Sequence, residues 1–158
     1  MSNSASIRGA TPEDTDRIVA IARAAYVKYV PRIGREPAPM TVNFAARIAA
    51  GHAIIVEDGE GIKGHMVSWP EADAYFIDNI AVDPQHQGKG LGRYLIEHAA
   101  TEANRLQLPT VRLYTNVAMT ETLAMYAHIG FVETRRAVED GFQRAYLSWS
   151  LGGPQRHP

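Results

Sequence analysis

The chain has 158 residues, 46% of them hydrophobic and 21% charged, with a formal net charge of −1. A chain of this length buries a core without cross-links, and the near-neutral charge gives no basic field to draw the whole molecule to nucleic acid or an anionic membrane. Cysteine is absent, which excludes a disulfide framework, a thiolate metal site and a cysteinyl acyl-enzyme.

Met1–Ser6 is polar and small and lacks the apolar core of a secretory leader, and no apolar run is long enough to span a bilayer. A cytoplasmic location is therefore expected. Residues 1–4 and 152–158 (GGPQRHP) read as flexible termini around a single domain at 5–151. Residues 5–9 fit a short strand. Thr11-Pro12-Glu13-Asp14 reads as a helix start, with a capping threonine, a proline where its missing N–H costs nothing, and acids at the positive end of the dipole. Ile18, Ile21, Ala22, Ala25, Tyr26 and Tyr29 follow at helical spacing, and the helix is expected to fail by Pro31. After the loop 31–39, a shorter helix is predicted over 41–50, stopping at Gly51.

His52–Glu57 and Ile62–Trp69 flank Asp58-Gly59-Glu60-Gly61, a hairpin signature, and Ala74–Val82 is the next strand. From Gly90 to about Leu106 an amphipathic helix aligns Leu91, Leu95, Ala99, Ala103 and Leu106 on one face. A strand at Val111–Thr115, a helix at 119–129 and a closing pair, Phe131–Val138 and Phe142–Trp149, complete the order β-α-α-β-β-β-α-β-α-β-β. Strands and helices mix without strict alternation. The expected fold is thus α/β of the α+β kind, a mixed sheet with helices on both faces rather than a doubly wound parallel sheet.

The sharpest local feature is Val82-Asp83-Pro84-Gln85-His86-Gln87-Gly88-Lys89-Gly90-Leu91-Gly92. A strand ends at Val82 and a helix begins near Gly90, so glycines 88, 90 and 92 leave backbone N–H groups uncovered at a helix start. Free amides and the helix dipole both favour an anion there, and Lys89 and Arg93 add cations. The natural guest is a diphosphate. A nucleoside-triphosphate loop needs Ser or Thr after the lysine, but Gly90 follows Lys89. The dinucleotide fingerprint G-x-G-x-x-G also fails, at Arg93. The competing reading is a glycine turn that only lets strand and helix pack.

Gln87-Gly88-Lys89-Gly90-Leu91-Gly92 resembles the Q/R-x-x-G-x-G/A signature of the GCN5-related N-acetyltransferase (GNAT) superfamily. The strand Asp78–Pro84 is similar to what leads into that signature. Tyr126-Ala127-His128-Ile129-Gly130-Phe131 resembles the superfamily's Y-x-x-x-G-F element, and the order of elements fits from about residue 5 to 150. The resemblance implies a GNAT-like acyl-CoA N-acyltransferase fold. It implies that backbone amides of residues 87–92 hold the diphosphate of coenzyme A. Ile80, Ala81 and Val82 would bond the pantetheine arm where the sheet splays, and Asn116 would also meet that arm. Many members carry an asparagine at the place Met119 takes here. The implied reaction is transfer of an acetyl or short acyl group from acyl-CoA to a primary amine, by direct attack in a ternary complex.

Such an attack needs a neutral amine, a donor for the oxyanion and an exit for the thiolate. Freeing a lysine amine at pH 7 costs roughly 4–5 kcal/mol, and an α-amino group only about 1. Asp78, sharing a strand face with Phe76, Ile80 and Val82, is the first choice of general base. Some members carry a glutamate base on this strand, near the place of Phe76. A structural hydrogen bond is the competing reading of Asp78, and Asp73, Glu71 and Glu57, acting through water, remain open as bases. Tyr126 is the candidate acid for the leaving thiolate, against a core-packing role beside Leu123. A backbone N–H on strand 78–82 is the expected oxyanion donor.

The six histidines show no metal-ligand spacing, and no metal is predicted. Residues 26–40, with Tyr26, Tyr29, Arg32, Arg35 and Met40, read either as one wall of an acceptor site or as a loop with solvated arginines. Trp69 and Trp149 read as strand anchors. Expected partners are an amine-bearing small molecule, peptide or protein, with no nucleic acid or membrane, and exposed sheet edges allow a homodimer. The rival functions are a non-catalytic acyl-CoA sensor and a nucleotide-binding protein using the same turn.

Overall fold

The computed structural model describes residues 4–152, so of the ends expected to be flexible, 1–4 and 152–158, all but residues 4 and 152 lie outside the described residues. The strands are β1 (Ser6–Gly9), β2 (Ala53–Asp58), β3 (Gly61–Pro70), β4 (Tyr75–Val82), β5 (Thr110–Asn116), β6 (Val132–Glu139) and β7 (Phe142–Ser150). They form a mixed sheet in the order β1-β2-β3-β4-β5-β7-β6, flanked by helices. The helices are α1 (Thr15–Tyr26), α2 (Val30–Ile33), α3 (Phe44–Ala49), α4 (Leu91–Arg105) and α5 (Thr120–Ile129). β1–β2, β2–β3, β5–β7 and β6–β7 pair antiparallel, and β4–β5 pairs parallel, as the α4 crossover between them requires. The chain divides into two compact units, one built up to Ser68 together with Asn79–Ile96, the other from Trp69–Asp78 with the chain from Glu97 onward.

In the first unit, α1 buries the predicted stripe of Ile18, Ile21, Ala22, Ala25 and Tyr26. Each isoleucine contributes roughly 1.5–3 kcal/mol. A 3-10 turn, Pro12–Asp14, leads into the helix, and the Asp14 carboxylate accepts the Thr11 N–H at 2.8 Å. Arg8 on β1 ties this start to the sheet by donating to Asp14 at 2.9 Å and to Glu57 on β2 at 2.8 Å.

Pro31 does not end the helical segment. The chain passes through a 3-10 turn, Val27–Tyr29, and restarts as α2, where Pro31 occupies the first turn and needs no N–H. The stop comes at Gly34, left-handed at φ +90°, whose N–H donates to the Val30 carbonyl at 2.8 Å. α3 is shorter than the predicted 41–50 because Asn43, not Thr41, caps it, accepting the Ala46 N–H at 3.1 Å.

β3 is buried from Lys63 to Ser68. At Gly64 a Cβ would stand 2.8 Å from the Ala81 carbonyl oxygen on β4, so the two backbones approach to a distance only glycine allows. His65, next along, is 1% exposed and packs edge-on against Phe44 at 5.1 Å. Burial pushes its imidazole down to about 4, against a smaller upward pull from Asn79.

The second unit carries Ala99 and Ala103 of α4 fully buried, but Leu106, predicted on that face, lies beyond the helix end and is 37% exposed. An aromatic row, Trp69–Phe76–Tyr114–Tyr146, crosses its strands at centroid spacings of 5.4, 5.9 and 5.6 Å. Arg144 lies over Tyr114 at 4.3 Å and Arg135 over Tyr146 at 3.9 Å. β6 is an edge strand with Val132 and Val138 exposed and arginines and glutamates between them.

His65 makes stability depend on pH. The unfolded imidazole takes up a proton near pH ~6.5, while the folded one stays neutral to about 4. Stability from this group is complete above the unfolded pKa and drains as pH falls toward the folded one. Urea titrations of the wild type should show a decline across that window, and His65→Leu should flatten it. An unchanged slope in the variant would assign the decline to other groups.

Candidate functional site

The last residues of β4 position the site. The Asp83 N–H donates to the Lys63 carbonyl on β3 at 2.8 Å. Backbone groups alternate along a strand, so Ala81 and Asn79 also face β3, while Ile80 and Val82 direct their N–H and C=O groups to the opposite edge. On that edge the Tyr26 hydroxyl donates to the Ile80 carbonyl at 2.5 Å, and the Gln87 side-chain amide donates to the Val82 carbonyl at 3.1 Å. By the same alternation the N–H groups of the two residues lie on that edge as well. β4's register with β5 covers Tyr75–Ile77, and the strand runs on to Val82.

Beyond Val82 the chain turns through a 3-10 segment, Pro84–His86, capped by the Asp83 carboxylate accepting the Gln85 N–H at 3.0 Å. Arg17 of α1 clamps the same carboxylate at 2.7 Å and holds it below the usual carboxylate range. Gly88 and Gly90 then take φ of +82° and +81°. A Cβ at either would meet nothing within 4 Å. Glycine is needed here for conformation, and the loop surface stays open. The first α4 bond runs from the Tyr94 N–H to the Gly90 carbonyl at 3.0 Å, so the amides of Leu91, Gly92 and Arg93 precede any intrahelical acceptor. Gly92 sits close over the strand end, its Cβ position 3.9 Å from a Val82 methyl.

Gln87, Lys89 and Arg93 are exposed at this loop. His86 is half-buried between two lysines, Lys63 Nζ at 3.2 Å from Nε2 and Lys89 Nζ at 3.4 Å from Nδ1. A neutral imidazole has one lone-pair nitrogen and accepts from one of them at a time. Asp58 at 3.9 Å and Glu60 at 3.5 Å balance Lys63, which sequence reasoning did not single out.

The other unit holds Asp78, Asn116 and Tyr126. Asp78 is half-buried and electrostatically coupled to Tyr114, whose phenol is pushed up by burial first, lowered by Arg144 and raised by Asp78. Asn116 uses its Oδ1 to accept the Ala118 N–H at 2.9 Å, which leaves its NH2 as the group it can offer a ligand. Tyr126 is 4% exposed, its ring against Phe131 at 5.3 Å. Phe131 in turn packs on Trp149 at 5.4 Å. Gly130, at φ +132°, ends α5, and a Cβ there would stand 3.0 Å from the Trp149 indole nitrogen. The spacing Y-x-x-x-G-F is therefore a packing unit that orients Tyr126. Two of the open base choices are committed elsewhere: Asp73 is held by Arg112 through two contacts of 3.0 Å, and Glu57 by Arg8.

The strand end at Ile80–Val82 and the glycine-rich loop after it thus lie next to one another in the chain, with space around Gly88 and Gly90. Among the described residues, no group of three His, Asp or Glu side chains stands close enough to hold a metal ion, and no helix is long and apolar enough to cross a membrane.

Comparison with known proteins identifies relatives of the chain. The chain is 40% identical over 61 residues to the ribosomal protein bS18-alanine N-acetyltransferase of Escherichia coli (strain K12), a stretch covering 39% of this chain and 41% of that protein. It thus spans less than half the length of that relative. It is 31% identical over 92 residues to the peptidyl-lysine N-acetyltransferase YjaB of Salmonella typhimurium (strain LT2), covering 58% of this chain and 57% of that one. The fold is that of the PaiA N-acetyltransferase from Thermoplasma acidophilum in complex with coenzyme A, with a TM-score of 0.77 at 16% identity over 93% of this chain and 99% of that one. The Acetyltransferase (GNAT) domain model matches residues 49–133, more than half of the chain, and the protein belongs to that family.

Proposed function

We propose that the chain is an N-acetyltransferase that moves an acetyl or short acyl group from acyl-CoA to a primary amine in a ternary complex. The observation that carries this reading is the continuity from a strand edge of N–H donors, at Ile80 and Val82, into the open amide loop at 87–92.

Acetyl-CoA supplies the activated acyl group. The loop amides, with Lys89 and Arg93, bind its diphosphate. The N–H groups of Ile80 and Val82 orient the arm and receive the charge that builds on the thioester oxygen. Asp78 accepts the proton of the attacking amine, directly or through water. As the new N–C bond forms and the C–S bond breaks, the Tyr126 hydroxyl delivers a proton to the departing sulfur. Asn116 adds a contact to the arm through its NH2. The acceptor is an amine on a small molecule, a peptide terminus or a protein lysine. Relatives named for an alanine of ribosomal protein bS18 and for peptidyl-lysine support that range. The exposed β6 edge is where two copies would pair as a homodimer.

Calorimetry with acetyl-CoA, then turnover across an amine panel, tests the proposal. Tight binding with turnover supports it, binding without turnover favours the sensor reading, and no binding to acetyl-CoA or coenzyme A overturns both. Gly90→Glu places a side chain at φ +81° and a carboxylate among the loop amides. Its affinity for acetyl-CoA should fall at least about tenfold, or about 1.4 kcal/mol.

The proton-transfer roles have their own test. Tyr126→Phe should lose roughly 10²-fold in kcat with the acetyl-CoA Kd nearly unchanged, and Asp78→Asn should act in the same direction. Wild-type turnover in either variant removes that residue from the mechanism.

A further inference from the structure

We infer that Tyr26 is a positioning residue for acyl transfer: its hydroxyl occupies the Ile80 carbonyl and so makes the outward edge of β4 an edge of N–H donors. This rests on the acyl-transfer reading above and extends it to a residue on α1.

Along the edge opposite β3 the backbone order is Ile80 N–H, Ile80 C=O, Val82 N–H, Val82 C=O. An oxyanion held by either N–H therefore lies next to the Ile80 carbonyl. Left bare, that oxygen would present its partial negative charge to the charge developing on the thioester oxygen. The Tyr26 hydroxyl, donating at 2.5 Å in a buried contact, takes up that oxygen. Gln87, from the loop after β4, does the same for Val82 at 3.1 Å. Two side chains from different elements thus occupy both carbonyls of one edge. The ring of Tyr26 is placed for this by the end of α1. The residue is 8% exposed, the helix tightens into a 3-10 turn directly after it, and Tyr29 packs at 6.2 Å.

A buried carbonyl needs a donor for stability alone, so the test must separate that role from positioning. Tyr26→Phe keeps the ring and removes only the donor. For this variant kcat should fall about tenfold, with the acetyl-CoA Kd and the amine KM within about threefold of wild type, all measured well below the unfolding midpoint. A lower midpoint with kcat unchanged would make Tyr26 purely structural and overturn the inference. Parallel losses in kcat and affinity would overturn it too, by making Tyr26 a binding residue. Should the variant not fold, the Ile80 carbonyl carbon resonance of 13C-labelled wild type gives the second reading. It must keep its hydrogen-bonded, downfield position at saturating acetyl-CoA, and an upfield move would show the hydroxyl leaving and overturn the proposal. A wild type that binds no acetyl-CoA sinks the acyl-CoA reading and this inference together. A wild type that binds and turns over, beside a fully active Tyr26→Phe, sinks this inference alone.

Discussion

The end of β4 can bond a neighbour on one edge only at the cost of offering the other edge to something else, and the candidate site follows from how that second edge is used. On the β3 side the strand is fastened by the Asp83 N–H to Lys63 and by the close approach at Gly64. Rigidity on that side makes the direction of the Ile80 and Val82 backbone groups definite. Their carbonyls find donors in Tyr26 and Gln87, and their N–H groups keep a fixed spacing. A site assembled from backbone in this way has no side-chain rotamers to freeze when a ligand arrives, and the entropy of ordering has already been met in folding.

The loop that follows solves a different problem, which is to concentrate N–H dipoles without collapsing on them. Left-handed conformations at Gly88 and Gly90 turn the chain while leaving open space where their side chains would stand. Asp83 makes this affordable. Its N–H holds β3, its carboxylate caps the 3-10 turn, and Arg17 clamps the same carboxylate from α1. Fastening at the loop's root confines its freedom to the few residues that present amides. With 16 basic and 17 acidic side chains the chain has almost no net field, so any pull on an anion at the proposed site is local.

What could be read from the sequence was whatever local chemistry enforces. Alternation marked the strands, spacing marked the buried stripe of α1, and the glycines at 88 and 90 announced a turn that only glycine takes without strain. Pro31 misled because its rule describes a helix continuing through it, whereas here a new turn begins just ahead of it. Gly64 gave no local signal, because the contact that demands it is with a strand 17 residues on. Tyr26 read as an apolar position at helical spacing and as one end of the 26–40 segment, with nothing to mark its hydroxyl. Its hydroxyl acts on a carbonyl 54 residues away, which periodicity does not encode. Among the acidic residues the strand face put Asp78 first but left Asp73, Glu71 and Glu57 open. Arginines hold two of them, Glu57 meeting Arg8 across 49 residues and Asp73 meeting Arg112 across 39, while Asp78 lies within β4 itself and Glu71 just before it.

Building the charge-stabilising edge from peptide groups also decides where pH enters the proposed reaction. A peptide N–H keeps its proton throughout the range in which an amine is set free, from about pH 7 to about pH 10. Two ionisable groups on the same strand pair stay outside that range: burial keeps His65 neutral, pushed down to about 4, and Arg17 keeps Asp83 charged. The donor edge is therefore constant while the acceptor titrates. Dependence of rate on pH then belongs to the amine and to the carboxylate that receives its proton. Deprotonation costs roughly 4–5 kcal/mol for a lysine and about 1 for an α-amino group at pH 7. On this reading that difference, roughly two to three powers of ten in the reactive fraction, weighs more heavily on acceptor choice than any single contact the acceptor makes, and a lysine acceptor demands correspondingly more of Asp78.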